Sequence, residues 1–141
     1  MSTTTGAPTG TDADKAAIAA LTQKVIAAWA YHDGDAFADV FTEDGTMILE
    51  GHFAQGREAI RAFLKDQYAN DYRDTQVTGK PIELRFLTPD SALLLTSGGV
   101  LYKGESEVAD RNAIRATWTV VRRDGAWRLG AYQNTPRDAV D

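Results

Sequence analysis

The 141 residues carry 15 Lys and Arg against 20 Asp and Glu, a formal charge of −5, and no cysteine. This length supports one hydrophobic core rather than two. The acidic balance, with no basic run longer than Arg122-Arg123, argues against nucleic acid as a partner, and the lack of cysteine excludes disulfides, thiolate nucleophiles and cysteine-based zinc sites. No run of 18 apolar residues and no basic start followed by an apolar stretch occurs, so the expectation is a cytoplasmic protein without membrane contact.

Residues 1 to about 11 are rich in Ser, Thr, Gly and Pro and predict a disordered tail, because they have almost nothing to bury against the entropy of ordering. Thr11 followed by Asp14 reads as a helix cap. Ile18, Leu21, Val25, Ala28, Trp29 and His32 then recur at three- and four-residue steps, an amphipathic helix of about 18 residues. Asp33-Gly34 breaks it, and Asp35 can cap a short second helix carrying Phe37, Val40 and Phe41, which Glu43-Asp44-Gly45 ends. Thr46–Glu50 predicts a strand, Gly51–Gly56 a loop, and the following segment a third helix with Ile60, Phe63, Leu64, Gln67 and Tyr68 on one face. Ile82, Leu84 and Phe86 alternate as in a strand, Pro89-Asp90 makes a turn, and Ala92–Tyr102 predicts a long strand in which Gly98-Gly99 marks a bulge or bend. After a polar loop, Lys103–Asn112, strands over 113–123 and 126–134 are joined across Asp124-Gly125, a hairpin signal. The result is one domain over 12–136, with a short tail at 137–141.

This order, with Trp29-x5-Asp35, Phe41-x-Glu43-Asp44-Gly45, Gly56-Arg57-Glu58-Ala59-Ile60 and Arg122–Leu129, resembles the nuclear transport factor 2-like superfamily over nearly everything after residue 13. The closing stretch Arg122–Pro136, ending Gln133-Asn134-Thr135-Pro136, is similar to the SnoaL-like SgcJ/EcaC branch, whose SgcJ member belongs to enediyne antibiotic biosynthesis. The resemblance implies an α+β, cystatin-like cone of three helices packed in a strongly curved mixed sheet, a homodimer, and a pocket at the wide end. It implies no single reaction, since the superfamily holds isomerases, dehydratases, polyketide cyclases and binding modules, so function has to come from the site.

Ketosteroid isomerases of this superfamily use a carboxylate base with a Tyr and a protonated Asp as hydrogen-bond donors. A gapless match puts Leu49 at the position of the base, Val25 at that of the Tyr and Thr117 at that of the second acid, so none of the three titrating groups is retained. Glu50 is adjacent to Leu49, but alternation from Met47 aims it to the opposite face. SnoaL-type cyclases carry an acid on the late strands, where 113–121 and 126–134 contain neither Asp nor Glu. Arg115, Thr117, Thr119, Gln133 and Asn134 remain there and can orient a carbonyl or enol by hydrogen bonds. The Gln133 position is often His in the resembling branch.

Of the two histidines, His32 ends the first helix on its apolar stripe, where the helix C-terminus explains it structurally. His52 falls in the Gly51–Gly56 loop, which the resemblance puts near the pocket mouth, and is the candidate proton-transfer group; an ordinary exposed loop histidine reads equally well. Twenty residues separate the two, no metal-binding spacing exists, and Gly51-x4-Gly56-Arg57 lacks the Lys and Ser/Thr of a phosphate loop. Neither metal nor cofactor is expected. Among the aromatics, Phe37, Phe63 and Trp127 read as core, while Trp29, Phe41, Tyr68 and Trp118 are candidates for the pocket wall. With Thr117 and Thr119 inward, strand alternation would turn Trp118 outward into a dimer contact.

The residues and the resemblance together predict a protein that binds a small polyketide or polyene in a conical pocket formed by Trp29, Phe41, Tyr68, Thr117, Thr119, Gln133 and Asn134. It would steer or catalyse cofactor-free cyclisation or isomerisation, as a homodimer through the outer face of strands 113–134. Two alternatives stay open: a noncatalytic module that assembles with a polyketide synthase, and an acid–base isomerase or dehydratase using His52.

Overall fold

A computed structural model describes residues 10–138; of the tails predicted for 1–11 and 137–141, residues 1–9 and 139–141 lie outside the described residues. The elements run α1 (Asp12–Ala30), α2 (Gly34–Asp39), β1 (Phe41–Leu49), β2 (His52–Gln55), α3 (Arg57–Ala69), β3 (Gln76–Thr88), β4 (Ser91–Leu101), a 3-10 turn (Asp110–Asn112), β5 (Ala113–Arg123) and β6 (Ala126–Pro136). Helix α1 begins with the predicted capping box, in which Thr11 Oγ1 accepts from Asp14 N–H and the Asp14 carboxylate accepts from Thr11 N–H. These bonds satisfy amides that the first helical turn leaves free. Its buried stripe is Ile18, Leu21, Val25, Ala28 and Trp29, as the periodicity predicts.

The helix ends earlier than Asp33-Gly34. His32 adopts a left-handed φ of 51°, its N–H donates to Trp29 C=O and the Asp33 N–H donates to Ala28 C=O, both at 2.8 Å. This is the Schellman closure, here with a histidine where glycine is usual. Asp33 rather than Asp35 caps α2, accepting from Ala36 N–H at 3.0 Å.

The six strands form one mixed sheet in the order β2-β1-β6-β5-β4-β3, with β1 and β6 parallel and every other pair antiparallel. Three helices pack on this curved sheet, the architecture predicted. Two expectations are corrected within it. Glu43-Asp44-Gly45 does not end α2 but lies inside β1, where the pairing with β6 shifts between Phe41 and Thr46. The packing at this irregularity is so close that a Cβ on Gly45 would stand 2.9 Å from the Phe41 ring. The Gly51–Gly56 segment is not a loop throughout: His52–Gln55 pairs with β1 as an edge strand, across a turn in which Gly51 has φ 78°.

Gly98-Gly99 does not itself break the ladder, since β4 pairs with β5 without a shift. The irregularities fall in the neighbouring edge strand β3, between Pro81 and Glu83 and between Phe86 and Thr88. Gly98 is required by close approach, because a Cβ there would collide with the Thr78 carbonyl.

Candidate functional site

A cavity of about 60 Å³ opens inside the cone. Helix α1 supplies Val25, Ile26 and Trp29, and α2 supplies Phe37. Strand β1 gives Met47 and Leu49, and the segment after α3 gives Tyr72. The remaining wall comes from β3 (Val77, Thr78, Gly79), β4 (Thr96, Gly99, Val100), β5 (Ile114, Trp118) and β6 (Tyr132, Asn134). Val25 and Leu49, the positions at which the resemblance would place a Tyr and a carboxylate base, are therefore cavity wall, with apolar side chains. Among the described residues, no Asp, Glu, His, Lys or Arg lines the cavity.

Both cavity tryptophans have their N–H groups engaged by the protein. Trp29 Nε1 donates to Thr75 Oγ1 at 2.9 Å, and Trp118 Nε1 donates to Thr96 Oγ1 at 2.9 Å. Thr75 in turn donates to the Tyr72 carbonyl at 2.6 Å, and its own carbonyl lies 2.9 Å from His32 Nε2. Tyr132 packs edge-on against Trp118, ring centres 5.0 Å apart, and its hydroxyl accepts from Asn134 Nδ2 at 3.0 Å. Burial pushes the Tyr132 hydroxyl up to about 12; the Asn134 bond pulls the other way and the nearby Tyr72 phenol adds to the rise. Tyr72 is raised as well, first by burial and then by Tyr102, Asp71 and Glu50.

Of the residues predicted to form the pocket, Trp29 and Asn134 line it. Phe41 and Tyr68 form a second layer: Phe41 stacks on Phe37 at 5.9 Å, and Tyr68 meets Trp29 edge-on at 5.3 Å. Thr117, Thr119 and Gln133 stand on the opposite face of the sheet. Along β5 beyond its first residue, the buried Ala113, the buried residues are Ala116, Trp118 and Val120, so alternation turns both threonines outward and Trp118 inward, the reverse of the predicted parity.

On β6 the reason is local. The pairing passes from Val120–Leu129 to Thr119–Ala131, leaving Gly130 as an extra residue. A bulge of this kind shifts all later side chains to the other face. Trp127 and Leu129 point inward before it. After it, Tyr132 and Asn134 face the cavity while Gln133 is exposed. Gly130 inside an otherwise β-like run is the sequence signal from which Tyr132 could have been found.

His52 lies on the edge strand β2, exposed, with its ring 4.9 Å from that of Phe63, and does not line the cavity. His32 closes α1 as expected and is half-buried against Tyr68, ring centres 5.0 Å apart. Among the described residues, no group of three or more His, Asp or Glu converges as a metal site, and no helix is long and apolar enough to cross a membrane.

Residues 11–133 match the family described as the SnoaL-like domain. No curated protein matches the sequence. Among solved structures, the chain is similar to a domain of unknown function with a cystatin-like fold from Nostoc punctiforme PCC 73102, at 28% identity over 92% of this chain and 81% of that one, TM-score 0.85. An uncharacterised protein with the same fold from Caulobacter vibrioides is 26% identical over 88% and 89% of the two chains, TM-score 0.75. A hexachlorocyclohexane dehydrochlorinase, LinA-type3 from Novosphingobium barchaimii LL02, is 19% identical over 89% and 88%, TM-score 0.75, a likeness of fold alone.

Proposed function

The chain belongs to the SnoaL-like domain family, and from that premise we propose that it encloses a small, largely apolar polyketide-like molecule in the cone and holds it in the shape required for cofactor-free cyclisation or isomerisation. One observation carries this reading: the cavity wall is aromatic and aliphatic, its polar groups are neutral hydroxyls and an amide, and among the described residues no carboxylate, imidazole or ammonium faces it. Such a wall orients a ligand by shape and fixed hydrogen bonds instead of exchanging protons with it. The similarity of Arg122–Pro136 to the SgcJ/EcaC branch supports an enediyne-type polyene as the ligand.

At about 60 Å³ the cavity is smaller than the roughly 300–1,000 Å³ of common ligand pockets. Binding a polyene therefore requires the β3 and β4 rim, Val77–Gly79 and Gly99-Val100, to move outward. The test is a titration of the protein with linear polyenes and aromatic polyketides, followed by tryptophan fluorescence and melting temperature, since Trp29 and Trp118 line the cavity and a specific ligand raises stability by mass action. Trp29→Ala is expected to weaken binding by about 1–3 kcal/mol of lost burial. Gln133→Ala, on the far face, is expected to leave binding unchanged. No fluorescence or melting response to any member of either class would overturn the proposal.

The same reading includes a homodimer through the outer face of the sheet. On that face Leu93, Leu95, Thr117, Thr119 and Ala131 are half-buried with no helix of the described residues over them, and Ile48 and Phe53, paired across β1 and β2, are 41% and 65% exposed. A second copy of this chain is the occupant proposed, with assembly on a polyketide synthase as the competing outcome.

A further inference from the structure

We propose that the Tyr132–Asn134 pair is a seat for one carbonyl oxygen of a neutral ligand, so that the molecule bound in the cone is a ketone, quinone or ester with its oxygen at the β6 wall. The inference deepens the pocket reading above and rests on it. It follows from a count of the hydrogens that face the cavity. The indole N–H groups of Trp29 and Trp118 already donate to Thr75 and Thr96, so the two tryptophans offer only ring surface.

Tyr132 differs. Its oxygen accepts from Asn134 Nδ2 at 3.0 Å, and no acceptor among the described residues receives its own hydrogen. That hydrogen is free to turn toward the cavity. If the amide is turned over, its oxygen accepts from Tyr132 and its NH2 group becomes the free donor. In either arrangement the pair presents at least one hydrogen to a ligand.

A donor enclosed in this way loses its water when the cavity fills with an apolar ligand, and leaving it unmatched is costly. The matching partner is an acceptor oxygen. A carboxylate would supply one, but it would bring a full negative charge into a cavity to whose wall the described residues contribute no Lys, Arg or His, and so is disfavoured. A carbonyl meets both conditions. Burial keeps the Tyr132 hydroxyl protonated well above neutral pH, so the donor persists over the physiological range. The donor comes from the last strand and exists only because Gly130 shifts the register; the α1 position at which the resemblance would put a tyrosine is Val25.

Three probes of nearly equal shape separate the possibilities: acetophenone, α-methylstyrene, which replaces the carbonyl oxygen by a CH2 group, and benzoate. Affinities are read from amide chemical-shift titrations of the full chain, and the carbonyl band of 13C-labelled acetophenone by infrared difference spectroscopy. Acetophenone is expected to bind about fivefold more tightly than α-methylstyrene, the effect of one neutral hydrogen bond. Its carbonyl band should move to lower frequency on binding, and benzoate should not bind.

Tyr132→Phe combined with Asn134→Leu, which removes both donors of the pair, should bring acetophenone down to the α-methylstyrene value and return the band toward its position in an apolar solvent, leaving the preference for α-methylstyrene over benzoate unaffected. A merely structural role for the pair would weaken acetophenone and α-methylstyrene alike and leave the band in place, which would overturn the proposal. Equal binding of acetophenone and α-methylstyrene to the unaltered protein would also overturn it while leaving the pocket reading intact. Failure of both to bind would remove the pocket reading and this inference together.

Discussion

Thr75 holds three parts of the molecule at one point. Its hydroxyl accepts from Trp29 Nε1 and donates to the Tyr72 carbonyl, while its own carbonyl meets His32 Nε2. The cavity face of Trp29, the segment carrying Tyr72 and the end of α1 are fixed through this single residue, which is almost fully buried. Replacing it by valine keeps the shape and removes the hydroxyl, leaving the indole N–H without a partner in an apolar surrounding. The expected loss is about 1–3 kcal/mol of stability, read as a lower urea midpoint at unchanged slope, and Thr75→Ser should recover most of it. Neither Thr75 nor Tyr72 stands out in the sequence, because a threonine after a polar loop carries no periodic signal. The contact that gives it importance lies 46 positions away.

At the scale of elements, the narrow end of the cone is tied by one arginine. Arg122, near the end of β5, donates to Asp14 on α1 at 2.7 Å, to Asp90 in the β3–β4 turn at 2.8 Å and to the Pro89 carbonyl at 2.9 Å, and its guanidinium lies 5.0 Å from the Trp127 ring centre. The Asp14 carboxylate is held below its ordinary range, first by the Trp127 N–H, then by the Thr11 bonds and Arg122, against an opposing effect of burial. A carboxylate whose folded pKa is depressed contributes stability above its unfolded value, about 3.9, and loses it as pH falls through the folded value. Asp14→Asn should therefore lower the melting temperature at pH 7, and the gap from the parent should start to close below about pH 4. A gap constant from pH 7 to pH 3 would contradict this assignment.

The elements themselves were largely legible. The Thr11–Asp14 box, the α1 and α3 stripes and the Asp124-Gly125 turn each have a local cause and appear as expected, with Asp124 and Gly125 at φ 53° and 79°. Strand β2 was not legible, since His-Phe-Ala-Gln has no β-branched residue and owes its conformation to β1. The inward side of β6 was not legible either. Extending the alternation from Trp127 and Leu129 selects Ala131 and Gln133, and only the extra residue at Gly130 turns Tyr132 and Asn134 to the cavity.

At the scale of the whole molecule, the helices cover one face of the sheet, and the outer face carries Ile48, Phe53, Leu93 and Leu95. Light scattering is expected to give twice the 15.3 kDa of one chain, and Phe53→Glu should shift the protein toward a single copy by placing charge in the contact. A mass of one chain at high concentration would rule out the dimer. The single parallel pairing in the sheet, β1 beside β6, has a consequence for how the protein is made. Met47 pairs directly with Tyr132, so Met47 and Leu49 from β1 and Tyr132 and Asn134 from β6 make one continuous stretch of cavity wall, although more than 80 residues separate them in the chain. During synthesis the β1–β2 hairpin emerges long before its neighbour, and it must wait with an unpaired edge until β6 leaves the ribosome. Closing so long a loop makes this pairing a late and slow step. The binding cavity is therefore among the last features of the molecule to form, and a nascent chain that stalls before β6 would expose the apolar wall that the finished protein encloses.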